Sequence, residues 1–254
     1  MKSKKVFRVL LIAVSSLLLL AVLVGVLNAL LGDGEWSFGW TSYQYDAEGY
    51  EIGGGTVYTD ALKHLDIDWV DGHVNIIVCE DYYPSVTETF SLELADESYM
   101  RRLLVADEGR LTVKYRAPSS FFGGEENKQK DLTVRIPKRM LGGLESLTLN
   151  VLSSEVTVEA IPFSKIRLTS ASGNITAGLH PMTERLDVET KKGDVCLSSA
   201  ELPSFSLTYE TKRAGSATLD FPFEEKDGRL ICGEGKTGIC VVSESGKLTV
   251  KREK

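Results

Sequence analysis

The chain has 254 residues, 43% of them hydrophobic, which is enough for a substantial core and too much for a disordered chain. Its net charge of -7 is unevenly spread: Lys2, Lys4, Lys5 and Arg8 precede the first apolar run, and residues 32–254 carry 25 basic against 36 acidic side chains. An acidic body without a Lys/Arg cluster excludes nucleic acid and anionic lipid headgroups as its partners, because both reward basic clusters that displace counterions.

Residues 9–31, "VLLIAVSSLLLLAVLVGVLNALL", hold 23 uncharged residues. As a helix they would reach ~34 Å at ~1.5 Å per residue, against a hydrocarbon core ~30 Å thick. A cleaved signal peptide has a shorter apolar region and ends in a small-x-small site, which "LNALLG" does not offer. The expectation is one uncleaved transmembrane helix at 9–31 in the cell membrane. The basic leader at 1–8 stays in the cytoplasm and the C-terminal body lies outside. Residues 32–60 mix Gly with Trp36, Trp40, Tyr43 and Tyr45 and read as a juxtamembrane linker, with an edge strand as the alternative.

Residues 61–254 are dominated by a repeat. "LDIDWVDGHVNIIV" from Leu65, "LTLNVLSSEVTVEA" from Leu147, "IRLTSASGNITAGL" from Ile166 and "LDVETKKGDVCLSS" from Leu186 share apolar columns. Columns one and three hold Leu65 and Ile67, Leu147 and Leu149, Ile166 and Leu168, Leu186 and Val188. After a corner, columns ten and twelve hold Val74 and Ile76, Val156 and Val158, Ile175 and Ala177, Val195 and Leu197. Two looser copies follow: Leu207, Tyr209, Ala217 and Leu219, then Leu230, Cys232, Ile239 and Val241. A period of two on each side of the corner means half-buried strands, and no later window has a helical period. Units of about 20 residues cannot bury their apolar face alone but can share an interior when stacked. The expected fold is therefore all-β: a β-solenoid of ~20-residue repeats, with Asp187, Glu189 and Cys196 facing solvent.

Between the first two copies, "VTETFSLEL", "RLTVKYR" and "DLTVRIP" alternate like strands of a longer rung or edge ribbon. "APSSFFGGEENKQK" is the longest loop candidate, its Phe121 and Phe122 either a contact patch or aromatics folded onto the stack. "GKLTVKREK" reads as a terminal cap.

The order "HLDIDWVDGHVNIIV", "KDLTVRIPKRMLGGLESLTLNVLSSEVTVEAI" and the repeated "SGN" and "KGD" corners resembles the bacterial putative-adhesin domains of unknown function built from β-strand repeats, over residues 60–254. The resemblance implies an extracytoplasmic β-solenoid acting in adhesion or in envelope-stress sensing. It supplies no catalytic residues.

The remaining motifs point to structure. Gly233, Gly235 and Gly238 match the spacing of a dinucleotide fingerprint, but a strand pattern follows where a helix is needed. His64, His73 and His180 are too sparse for a zinc signature. Glu80 and Asp81 have the residue types of a glycosidase pair, Asn174 starts a sequon inside a corner, and no nucleophile elbow occurs. No enzyme, cofactor, metal or nucleotide is expected. With Cys196 and Cys240 sharing an outward column two rungs apart, ~9.6 Å at the strand spacing, no disulfide can close, and Cys79, Cys196, Cys232 and Cys240 should all be free thiols. The expected function is a non-enzymatic, membrane-anchored binding module for an envelope polymer or membrane protein. The alternative is an accessory part of an envelope-stress system acting through a membrane partner.

Overall fold

The computed structural model describes residues 51–52, 55–90, 102–106, 109–115, 130–200, 204–212 and 215–252. The apolar run 9–31, the leader before it, and Phe121 and Phe122 lie outside these residues. Among the described residues no helix is long and apolar enough to cross a membrane.

The described residues form eighteen strands. The first seven are β1 Glu51–Ile52, β2 Gly55–Thr56, β3 His64–Cys79, β4 Ser85–Phe90, β5 Arg102–Ala106, β6 Arg110–Lys114 and β7 Lys130–Pro137. A 3-10 turn at Lys138–Gly143 leads to β8 Ser146–Val158, β9 Lys165–Ser172, β10 Ile175–Gly178, β11 Arg185–Lys192 and β12 Val195–Ser199. The chain ends with β13 Phe205–Thr211, β14 Ala217–Leu219, β15 Glu224–Lys226, β16 Arg229–Cys232, β17 Thr237–Ser245 and β18 Leu248–Arg252.

These strands stack as two-armed rungs. The first arms pair in parallel in the order β6, β3, β8, β9, β11, β17, β13. The second arms pair in the order β7, β3, β8, β10, β12, β18, β14. β3 and β8 run unbroken through both sheets. Antiparallel strands flank the stack: β5 and β1 on β6, β4 and β2 on β7, β16 and β15 on β13. Pairing thus begins inside the stretch expected to be linker.

One continuous core lies between the arms. Leu65, Leu147, Ile166, Leu186, Ile239 and Leu207 align across the first sheet, and Val74, Val156, Ile175, Val195 and Leu248 across the second. All are buried. Columns one and ten are nine residues apart, an odd number, so strict alternation would put them on opposite faces. One corner residue must absorb the slip. In the rung of Leu186 it is Gly193, at φ 128°, where a Cβ would lie 2.1 Å from the carbonyl oxygen of Gly173. Only glycine fits there.

The expected columns hold for the rungs starting at Leu65, Leu147, Ile166, Leu186 and Leu207, and fail for the last. Ile239 and Val241 sit in columns one and three, opposite Leu186 and Val188, and columns ten and twelve are Leu248 and Val250. Leu230 and Cys232 belong instead to an antiparallel hairpin on β13. Leu230, Ile239 and Leu248 are spaced nine apart, so the period allows either register. The Gly246 corner, docked on Gly193, decides between them. "GKLTVKREK" is therefore no terminal cap: β18 lies between β12 and β14, and β17 between β11 and β13. The stacking order departs from the chain order.

Candidate binding surfaces

The second sheet presents an outward row of small polar side chains. Successive pairings align Thr87, Thr133, Asn75, Thr157, Thr176, Cys196, Thr249 and Thr218 across eight strands, on the face opposite the core columns. Thr87, Thr157, Thr176 and Thr218 are exposed and the others half-buried. Neighbouring members repeat at about 4.8 Å, the distance between paired strands. Arg135 Nη1 donates to Thr87 Oγ1 at 3.2 Å, holding the edge of the row.

A charged row borders it on the corner side. His73 bridges two neighbouring strands, with Nδ1 3.1 Å from Asp131 Oδ1 and Nε2 3.0 Å from Glu155 Oε2. The hydrogen bond with Asp131 is the main reason its pKa lies above the usual histidine value, with Glu155 adding to it and burial opposing. Farther along, Asn174 Oδ1 accepts from the Asp194 N–H at 2.9 Å, and Asp194 Oδ1 accepts from the Lys247 N–H at 2.8 Å. Asn174 is thus corner chemistry, as its place in the repeat predicts. A shallow depression beside it is lined by Asp194, Gly215, Ser216, Gly246 and Lys247.

A second surface lies where β2 meets the β3–β4 loop. Tyr58 is 81% exposed and Tyr82 61% exposed. Both contact Tyr83 edge to face, with ring centroids 5.3 Å and 4.7 Å away. The Arg139 guanidinium lies 3.9 Å from the Tyr82 ring centre and 5.6 Å from that of Tyr83. Its Nε donates to the Tyr82 carbonyl at 2.5 Å, while Nη1 and Nη2 donate to the carbonyls of Asp60 and Thr59 at 3.4 and 3.3 Å. The sequence reading missed this group. The Tyr-Tyr pair in "CEDYYP" was its one signal, and nothing local ties that pair to Tyr58 or Arg139.

Beneath the first corner lies a buried ionic group. Lys130 Nζ and Glu88 Oε1 are 3.0 Å apart, their side chains 0% and 1% exposed. Lys130 also sits 4.4 Å from the centre of the Tyr115 ring, which meets Trp69 edge to face at 5.1 Å. Burial first, then the charges of Asp71 and Glu88, push the Tyr115 hydroxyl up to about 12.

Other positions singled out by sequence fall apart. Gly233 and Gly235 lie in the turn between β16 and β17, so a strand follows the glycines. His64 pairs with Ser146, and His180 accepts from the Met182 N–H, each remote from His73 in the fold. Glu80 pairs with Lys138. Among the described residues no group of three His, Cys, Asp or Glu is placed to hold a metal ion. The four thiols are unpaired, but the expected shared column is wrong: Cys240 faces Asp187 on the first sheet, whereas Cys196 lies on the second. The misassigned last repeat caused the error. Burial raises the thiol pKa of Cys79, Cys232 and Cys240.

Residues 62–212, more than half of the chain, match the Toastrack DUF4097 family. The chain belongs to that family. This Toastrack chain also superposes on the crystal structure of a putative cell adhesion protein from Clostridium sporogenes ATCC 15579, with a TM-score of 0.62. The two are 14% identical, over 76% of this chain and 94% of the other, a likeness of fold. A putative adhesin from Bacteroides fragilis NCTC 9343 is 10% identical over the same shares, with a TM-score of 0.33. No curated protein matches the chain. The Toastrack match ends at Lys212, although the rung formed by β17 and β18 is built into the same stack.

Proposed function

We propose that this Toastrack protein is a non-enzymatic, adhesin-like binding module of a bacterial envelope, carried outside the cell membrane on a helix formed by residues 9–31. The observation that carries this reading is the outward row on eight neighbouring strands, Thr or Asn on seven of them and Cys196 on the other. A regular array of hydroxyl and amide groups offers many weak, evenly spaced hydrogen bonds. Each is worth little against water; together they select a ligand that repeats on the same scale, such as an extended wall polymer. The acidic surface weighs against polyanionic polymers as direct ligands.

Residues 45–254 form one compact unit and are the part to assay. In this reading they are retained on purified cell wall, and a Thr157→Lys/Thr176→Lys variant is washed off. Retention of one solubilised membrane protein without wall binding would replace this reading with the accessory role in envelope sensing. Hydrolysis of wall glycan would overturn both.

A further inference from the structure

Among the described aromatics outside the Tyr58 cluster, Trp69, Tyr115, Phe163, Phe205 and Phe221 are buried, as packing requires, Tyr209 is half-buried and Phe223 is 47% exposed. Tyr58 and Tyr82 stay more than half exposed while touching the same ring. They are also held in place. The Val57 N–H donates to the Pro84 carbonyl at 2.7 Å, pinning the segment that carries Tyr58 to the loop that carries Tyr82 and Tyr83. Arg139 ties both segments to the 3-10 turn. Rigid exposed aromatics can bind without an ordering cost.

The chemistry of the cluster narrows its ligand. A cationic ligand is disfavoured, because the Arg139 guanidinium lies 3.9 Å from the Tyr82 ring centre and 5.6 Å from that of Tyr83, and its charge repels a second cation at the cluster while leaving a neutral ligand unaffected. An anion is disfavoured as well, because three of the five N–H donors of Arg139, one on each nitrogen, are already held by backbone carbonyls, which weakens its hold on a carboxylate or phosphate. A protein partner would need roughly 1,000 Å² of complementary surface, whereas three tyrosines make a small patch. What remains is a neutral ring with a face of C–H bonds and a rim of hydroxyls. A β-linked pyranose of the glucose configuration has that shape: its axial C–H bonds stack on an aromatic face, and its equatorial hydroxyls reach the phenol groups.

We propose that Tyr58, Tyr82 and Tyr83 form a stacking site for a neutral pyranose unit of a β-linked glycan, with Arg139 as the positioning residue. The proposal rests on the reading that the body meets an envelope polymer, and assigns that polymer's sugar class. The test uses the full chain in detergent micelles, titrated calorimetrically with a soluble β-1,4-linked N-acetylglucosamine hexasaccharide, with retention on purified cell wall measured alongside. The expected result is saturable binding that weakens roughly tenfold or more in Tyr58→Ala/Tyr82→Ala, weakens less in Tyr58→Phe, which keeps the ring, and is unchanged in Met182→Ala, an exposed position outside both surfaces. Arg139→Ala should weaken binding, and Arg139→Lys should not restore it, since an ammonium lacks the planar fork. Both tyrosines are exposed, so the variants keep the parent melting temperature. Absence of binding to the parent chain, or a double variant that binds as the parent does, would overturn the proposal. If wall retention survives either outcome, the polymer-binding reading stands without it; loss of both results sinks both.

Discussion

Lys130 and Glu88 both occupy inward positions of their strands, where alternation calls for apolar side chains. Glu88 lies opposite Leu132 and Lys130 opposite Phe90. Removing two charges from water costs several kcal/mol per ion, offset only by close pairing. Lys130→Met should therefore cost about 3–5 kcal/mol, since it takes the cation from a buried carboxylate, and Lys130→Met/Glu88→Leu should recover most of the loss; urea midpoints measure both. The Tyr115 hydroxyl gives a pH signature. Its folded pKa, about 12, exceeds the ordinary value near 10, so the protonated phenol favours the folded state. That contribution is complete below about pH 10 and lost as pH rises through about 12. Phenolate absorbance should show Tyr115 ionising last, together with unfolding; early ionisation would contradict the buried placement. Neither feature was legible in the sequence, because a strand pattern identifies inward positions but not which long-range charge will meet another there.

At the scale of the element the sequence was far more legible. Five rungs have the columns their apolar spacing implied, because each alternating arm leaves one face that only a neighbour can cover. The failure came where two registers were equally periodic, and a corner contact absent from the pattern chose between them. Corner chemistry is therefore the decisive local element. Gly193→Ala should cost at least about 1–3 kcal/mol, because its φ is strained for any side chain and the added methyl would strike the Gly173 carbonyl. Gly142→Ala should change stability by less than about 0.5 kcal/mol, since nothing lies within 4 Å of its missing Cβ. Thermal melts of the two variants compare them directly; equal losses would show that the corner does not set the stability of the stack. The Tyr58 cluster was out of reach at this scale too, since it joins three non-repeating segments.

For the whole molecule, the family match and the folding unit do not coincide. A chain ending at Lys212 would retain every matched residue but lose Ile239, Val241, Leu248 and Val250, all buried, and with them β17, which joins β13 to the stack, and β18, which covers β12. Residues 45–212 should therefore bind a hydrophobic dye and unfold without a cooperative transition, whereas residues 45–254 should melt as one unit. A sharp melt of the shorter chain would show that the final rung is dispensable.

The interleaving of that rung also sets a timetable. A ribosome releases the chain N-terminus first at about 5–20 residues per second, and a stack assembled in sequence order could close rung by rung as it emerged. Here β13 and β14 appear before the strands that must separate them from β11 and β12. If β13 settled directly on β11, it would block the slot that β17 needs. The growing chain must keep that edge unpaired until β17 and β18 have been made, so the arrival of those two strands is itself the signal that lets the stack close.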